Sequence, residues 1–378
     1  MHQRRGVITA SDRSLSHVLY QNHFFDNIKG TNMLSWKIKR ACTIAFVCLS
    51  LTATQVSARE RKIKGCLTEC KPRIGILSAF GQEADILLAE TTNKYQYTIN
   101  GNIFTTGKLR GNNVVIVLTG VSVENASMLT QLTIDNFNIN HLLLSGIAGG
   151  VDPNYHIGDV AIPSKWSLPL EVYWNRDSNI PTPCGTPGDL LCLGLKLSTF
   201  TSTANSDYQV PTTNGLVGSG LFMRDTFVRN SSNFPNGEYK FDYKVDAEML
   251  AIAKTLRPQL DKCGPKQPNL CISTQPMLRI GGRGITAPAF LANPDYRNYV
   301  FKTIKAVSVD METTAFAHVA YANEIPFIAF RSLSDLAGGD DSTDIGAFFG
   351  SGLAESNEAK VTLGFLEAWS NTHKNLDE

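Results

Sequence analysis

The amino-acid sequence predicts an α/β fold: a single domain with a central mixed sheet flanked by helices, carrying a large loop-rich insertion. Three observations lead there. Short, nearly continuous apolar runs, such as RIGILSA at 73–79 and VVIVL at 114–118, read as strands buried on both faces. Segments of helical periodicity alternate with them. Several of these strands end in acidic or glycine-rich clusters, and in open α/β sheets ligands bind beyond the carboxyl ends of strands. With 378 residues, 43% of them hydrophobic and 18% charged, the chain has the composition of a soluble globular protein. A formal net charge of +1 without a basic stripe gives nucleic-acid binding no electrostatic support, and no nucleic-acid partner is expected.

In chain order, the strand at 73–79 leads through FGQE into a helical stretch at 84–89. Residues 95–99 and 102–106 flank Asn100-Gly101, a hairpin signal. The strand at 114–118 precedes a helix over 123–137. A strand at 141–144 stops at Ser145-Gly146, in a glycine-rich turn closed by Gly149-Gly150, and another follows at 160–163. From 166 to 276 the pattern weakens. This stretch, rich in Pro, Gly, Asn, Ser and Thr, reads as a surface insertion with one helix at 244–256. Order resumes with a strand at 277–280 and a helix at 293–301. A strand–helix–strand unit follows (306–309, 313–323, 326–330), whose strands run into Asp310-Met311-Glu312 and Ser334-Asp335. An amphipathic helix at 355–370 ends the fold.

The N-terminal 58 residues are set apart from the domain, 59–378. Residues 33–58 carry Lys37, Lys39 and Arg40, then an apolar run at 41–51 that is too short to span a bilayer, then Val56-Ser57-Ala58. This is the pattern of an export leader cleaved after Ala58, which would deliver a periplasmic or secreted protein with no membrane segment. A buried strand or a membrane anchor is the competing reading. Six cysteines remain, Cys66, Cys70, Cys184, Cys192, Cys263 and Cys271, an even number suited to an oxidising compartment. They form three close pairs, which predicts local disulfides. Cross-pairing between the 184–192 and 263–271 loops stays open, and the spacings are wrong for a zinc site.

RIGILSAFGQEADILL, LTGVSVENAS, SGIAGGVDPNYHIGDVAIP, VDMETTAFAHVA and PFIAFRSLSDLAG occur in the order seen in the nucleoside phosphorylase/nucleosidase superfamily. The chain resembles most closely the methylthioadenosine/S-adenosylhomocysteine nucleosidase branch, over 73–165 and 277–370. The resemblance implies a nucleoside phosphorylase-like fold, a small-molecule nucleoside substrate, no cofactor and a homodimer.

It also implies roles. Cleaving a purine N-glycosidic bond requires protonation of the leaving base, a hold on the ribose and a nucleophile. Asp335, oriented by Ser334, corresponds to the acid at the purine; an N-cap role is the alternative. Glu312 corresponds to the ribose holder, with Met311 against the sugar; otherwise it is a first-turn acid favoured by the helix dipole. Glu83 corresponds to the base that activates water, the last acid of the family's Met-Glu-Glu-Glu pattern, although Phe80-Gly81-Gln82 replaces the first three positions and with them two of the three acids. Gly146 and Ile147 lie in the glycine-rich turn, where the family commonly has Ser or Thr in place of Ile147. Gly284, Ile285 and Thr286 fall where its backbone contacts the purine, and Phe80 and Phe349 where side chains line the 5′ pocket.

Residues 78–85 hold no basic side chain and do hold Glu83, which repels phosphate and suits water as nucleophile. Hydrolysis is therefore the expected reaction. Phosphorolysis, and a non-catalytic binding or storage role, are the alternatives.

Overall fold

The computed structural model describes residues 66–175, 197–201, 220–339 and 350–373. The expected leader at 33–58, Cys184, Cys192 and Phe349 lie outside the described residues. The main sheet comprises β1 (Glu69–Ser78), β2 (Thr92–Ile99), β3 (Asn102–Leu109), β4 (Asn112–Leu118), β5 (Phe137–Gly150), β6 (Val160–Ile162), β7 (Lys165–Ser167), β8 (Tyr243–Lys244), β9 (Leu278–Ile280), β10 (Arg283–Thr286), β11 (Ala306–Asp310) and β12 (Phe327–Asp335). The helices are α1 (Gly81–Glu90), α2 (Val123–Asn136), α3 (Ala247–Ala253), α4 (Pro294–Ile304), α5 (Thr313–Ala322) and α6 (Leu353–His373).

The sheet is mixed, as its sequence predicts. Its path runs β8-β7-β10-β11-β5-β1-β4-β3-β2, with β12 against β5 and β6, and β9 against β6. The central strands β4, β1, β5 and β12 are parallel, and the β2-β3-β4 meander is antiparallel. All nine residues of β12 and all five of β11 are buried, which accounts for their unbroken apolar runs. Helix α1 packs on α6 and α2 on α5, so the sheet is covered by helices on both faces. At the β2–β3 turn, Asn100 and Gly101 both take positive φ (50° and 77°), as a two-residue hairpin requires.

Two sequence expectations change. The glycine-rich stretch at 145–150 is not a turn. It continues β5, pairing with β12 through Gly149 and with β11 at Gly149 and Gly150. Nor is segment 166–276 wholly peripheral. It starts inside β7, where Trp166 is fully buried, and returns as β8 beside it. A Cβ on Gly284 of β10 would lie 2.5 Å from the Trp166 ring, so only glycine lets these neighbouring strands close. The expected 244–256 helix shortens to α3, capped by Asp246, whose carboxylate accepts from Met249 N–H at 2.9 Å. Elsewhere Val172–Asn175, Leu197–Thr201 and Gly220–Met223 pair as a small sheet.

Two expected local disulfides are formed, Cys66–Cys70 and Cys263–Cys271. The second closes a hairpin docked on the start of α6. There Lys266 N–H donates to the Ser351 carbonyl at 3.0 Å, and a Cβ on Gly264 would collide with Ser351.

Candidate active site

A cleft of about 180 Å³ opens at the carboxyl ends of β1, β11 and β12. Its walls are largely apolar, from Phe80, Val121, Ile147, Phe290, Leu291, Val309 and Met311, and its acids are Glu83, Asp310, Glu312 and Asp335. Three of these were read from sequence as the chemical residues, and the fold gathers them from three separate elements.

Glu83 is the third residue of α1, a helix that starts as β1 ends. Although a first-turn acid is usually exposed, it is 1% exposed because it turns back over its own helix end. Its Oε2 accepts the N–H groups of Ala79 (2.6 Å) and Phe80 (3.3 Å), and its Oε1 accepts that of Ile147 (2.8 Å). Burial pushes its carboxyl up to about 7, against the opposing pull of Arg331 and these N–H donors. A carboxyl poised there exchanges protons at neutral pH, as a general base must.

Glu312 stands at the start of α5. Its Oε1 accepts Ser122 N–H at 2.9 Å, from the turn after β4, and its Oε2 accepts Arg331 at 3.3 Å. Burial raises its pKa, Arg331 opposes that, and the neighbouring Asp310 adds to it. Each oxygen keeps acceptor capacity toward the cleft. Asp310 is committed to the scaffold. It accepts Thr286 Oγ1 at 2.6 Å, Thr313 N–H at 3.2 Å and the Thr313 hydroxyl, and it pairs with Arg331 at 2.8 Å.

Asp335 ends β12. Its Oδ2 accepts the Ser334 hydroxyl at 2.9 Å and its Oδ1 accepts Ala337 N–H at 2.8 Å. These bonds fix the carboxyl at the cleft wall through a local turn, and Asp335 caps no helix among the described residues. A Cβ on Gly149 would lie 2.8 Å from Asp335 Oδ1, which explains a glycine there.

Phe80, Met311, Ser334 and Ile147 line the cleft as expected. Ile147 also acts through its backbone, since its N–H holds Glu83 and its carbonyl accepts Arg331 at 3.3 Å. Four expected contacts are displaced. Gly146 leaves room for other side chains rather than for a ligand: a Cβ there would lie 2.3 Å from Glu83 Oε1 and 2.4 Å from Arg331 Nη1. Gly284 backs Trp166, Ile285 is fully buried in a core with Val300 and Val309, and Thr286 braces Asp310. The cleft is lined instead by Ala289, Phe290 and Leu291, three to five residues beyond Thr286. The four-residue strand β10 carries no periodic signal of its own, so its carboxyl end could not be located from sequence.

Arg331 is the residue that sequence reading passed over. It is fully buried on β12 and lies within 4 Å of three carboxylates: Asp310 at 2.8 Å, Glu312 at 3.3 Å and Glu83 at 3.7 Å. Its Nε donates to Thr313 Oγ1 at 3.1 Å. One guanidinium thus ties together acids from α1, β11 and the start of α5.

The chain matches the phosphorylase superfamily over residues 73–366. It is 24% identical over 296 residues to the 5′-methylthioadenosine/S-adenosylhomocysteine nucleosidase of Tolumonas auensis, covering 78% of this chain and 99% of that one. Its fold resembles that of the nucleosidase of the same name from Neisseria meningitidis, solved in complex with methylthio-immucillin-A (TM-score 0.53, 17% identity, 79% of this chain and 99% of that one). It also resembles the futalosine hydrolase of Helicobacter pylori (TM-score 0.51, 16% identity, 80% and 98%).

Proposed function

Because the chain belongs to the phosphorylase superfamily, we propose that its cleft hydrolyses the N-glycosidic bond of a purine nucleoside or a 5′-thio-substituted adenosine of the methylthioadenosine/S-adenosylhomocysteine type. The observation that carries this reading is the convergence of Glu83, Glu312 and Asp335 on one largely apolar cleft. Asp335, held by Ser334, delivers a proton to the departing purine. Glu312, fixed by Ser122 N–H and Arg331, accepts the vicinal ribose hydroxyls. Glu83, fixed by three N–H donors, takes the proton of the attacking water. Curated relatives named as nucleosidases support the reaction class.

Water rather than phosphate is supported by the charge around Glu83. The arginine beside it is already engaged by Asp310, Glu312, Thr313 and the Ile147 carbonyl, and a carboxylate repels a phosphate dianion. The test is to incubate the protein with methylthioadenosine, S-adenosylhomocysteine, adenosine, inosine and futalosine in buffer without phosphate. Free base from at least one of them is the expected result. Release that depends on added phosphate would make the protein a phosphorylase. No release by folded protein would leave a binding or storage role.

A further inference from the structure

A second buried carboxyl lies behind the cleft, and the chemistry above does not use it. Glu358, on α6, is fully buried. Its Oε1 accepts the hydroxyls of Ser145 and of Thr362, the latter at 2.6 Å, and these hydroxyls are 3.1 Å apart. Its Oε2 has no partner among the described residues. Ser145 adjoins Gly146, against which Glu83 and Arg331 pack, and it lies two residues before Ile147, whose N–H holds Glu83. An unpartnered, fully buried oxygen is a costly place for negative charge. As a neutral acid, Glu358 keeps Oε1 as an acceptor and carries its proton on Oε2.

We propose that Glu358 is a positioning residue of this site: it stands protonated behind β5, braces the Ser145–Ile147 backbone that presents an N–H to Glu83, and leaves Glu83 as the member of the pair that ionises. The use made of that ionised Glu83 rests on the hydrolytic reading above; the proton arrangement does not. The charged groups acting on Glu358 are Glu83 from α1 and Arg331 from β12. From α3, Glu248 is paired with His373 at the far end of α6. Lys266 of the disulfide hairpin acts on Glu355, one turn earlier. Strand β6 presents Val160, Ala161 and Ile162. Burial pushes the Glu358 carboxyl up to about 8 against the pull of the Ser145 and Thr362 hydroxyls, and repulsion from Glu83 adds to the rise.

The test follows the two protons directly, by infrared difference spectroscopy of the buried carboxyls across both ionisations. The samples are the wild-type protein, Glu358→Gln and Glu83→Gln. The expected result is a carboxylic-acid band that persists above the Glu83 transition and that Glu358→Gln loses. In Glu83→Gln the same band titrates at lower pH, with about a tenfold larger acid constant, because a repelling charge is gone. With a nucleoside that turns over, the pH profile of kcat/KM in Glu358→Gln keeps its lower transition, set by Glu83, because a neutral Glu358 exerts no charge on it. The band surviving in Glu358→Gln, or failing to move in Glu83→Gln, would overturn the proposal; should Glu358→Gln not fold, the second comparison decides alone. A protein that releases no base from any nucleoside defeats the hydrolytic reading and leaves the spectroscopic outcome intact.

Discussion

Arg331 shows how much a single side chain carries here. Its guanidinium is fully buried and compensates Glu83, Asp310 and Glu312, so removing it leaves three buried carboxylates with no cation within 4 Å among the described residues. Arg331→Met is expected to cost about 3–5 kcal/mol of unfolding free energy, read by denaturant titration. A loss below about 1 kcal/mol would mean that the acids are compensated otherwise. Glu83 gives a prediction in pH. Its folded-state value of about 7 lies above the ordinary 4.5, and a base works only when ionised, so kcat/KM should fall as pH drops below about 7. The same shift acts on stability with the opposite benefit. Between those two values the folded state holds a proton that the unfolded chain has released, so stability declines as pH rises through that window. A rate that stays flat through the window would remove Glu83 as the base. Glu83, Glu312 and Asp335 were legible in the sequence because each sits in a recognisable local motif. Arg331 was not, because its partners stand at positions 83, 310 and 312 and only the fold brings them within reach.

Short elements explain what the sequence hid and long ones what it revealed. The continuous apolar runs of β1, β4, β11 and β12 announce themselves, and α5 and α6 are long enough, at 10 and 21 residues, to be located. By contrast β7, β8 and β10 are two to four residues long, too short for any period to register. Trp166 and Tyr243 therefore read as parts of the loop-rich insertion and Gly284 as a purine contact, although all three close one end of the sheet. The glycines of β5 misled in the other direction. They mark places where side chains of α1 and β12 press on a strand, although in the sequence they read as a turn. The Cys263–Cys271 hairpin holds the start of α6, the helix that carries Glu358. Replacing both cysteines by serine should cost on the order of 2–3 kcal/mol, the entropy of closing so short a loop. Hydrogen exchange should then rise first in the opening turns of α6. Unchanged protection there would show that the hairpin does not anchor the helix.

At the scale of the whole molecule, the sheet solves one problem: it places acids that are about 250 residues apart in sequence around one apolar cleft. Glu83 comes from the first βα junction, Glu312 from the start of α5 and Asp335 from the last strand. Each sits where a parallel strand hands over to the next element, and this region of an open sheet is free to bind ligands. The matching family is named for phosphorylases while the similar relatives are named as nucleosidases, so the fold alone leaves the nucleophile open, and the choice falls to the few groups around Glu83. The most direct measurement is the fate of the sugar when methylthioadenosine is turned over in ¹⁸O-labelled water with phosphate present. The expected product is free sugar carrying the label at its anomeric carbon, formed by the wild-type protein and slowed by roughly 10²–10⁴-fold in Glu83→Gln. A sugar 1-phosphate as product, or labelled sugar formed at an undiminished rate by Glu83→Gln, would contradict it.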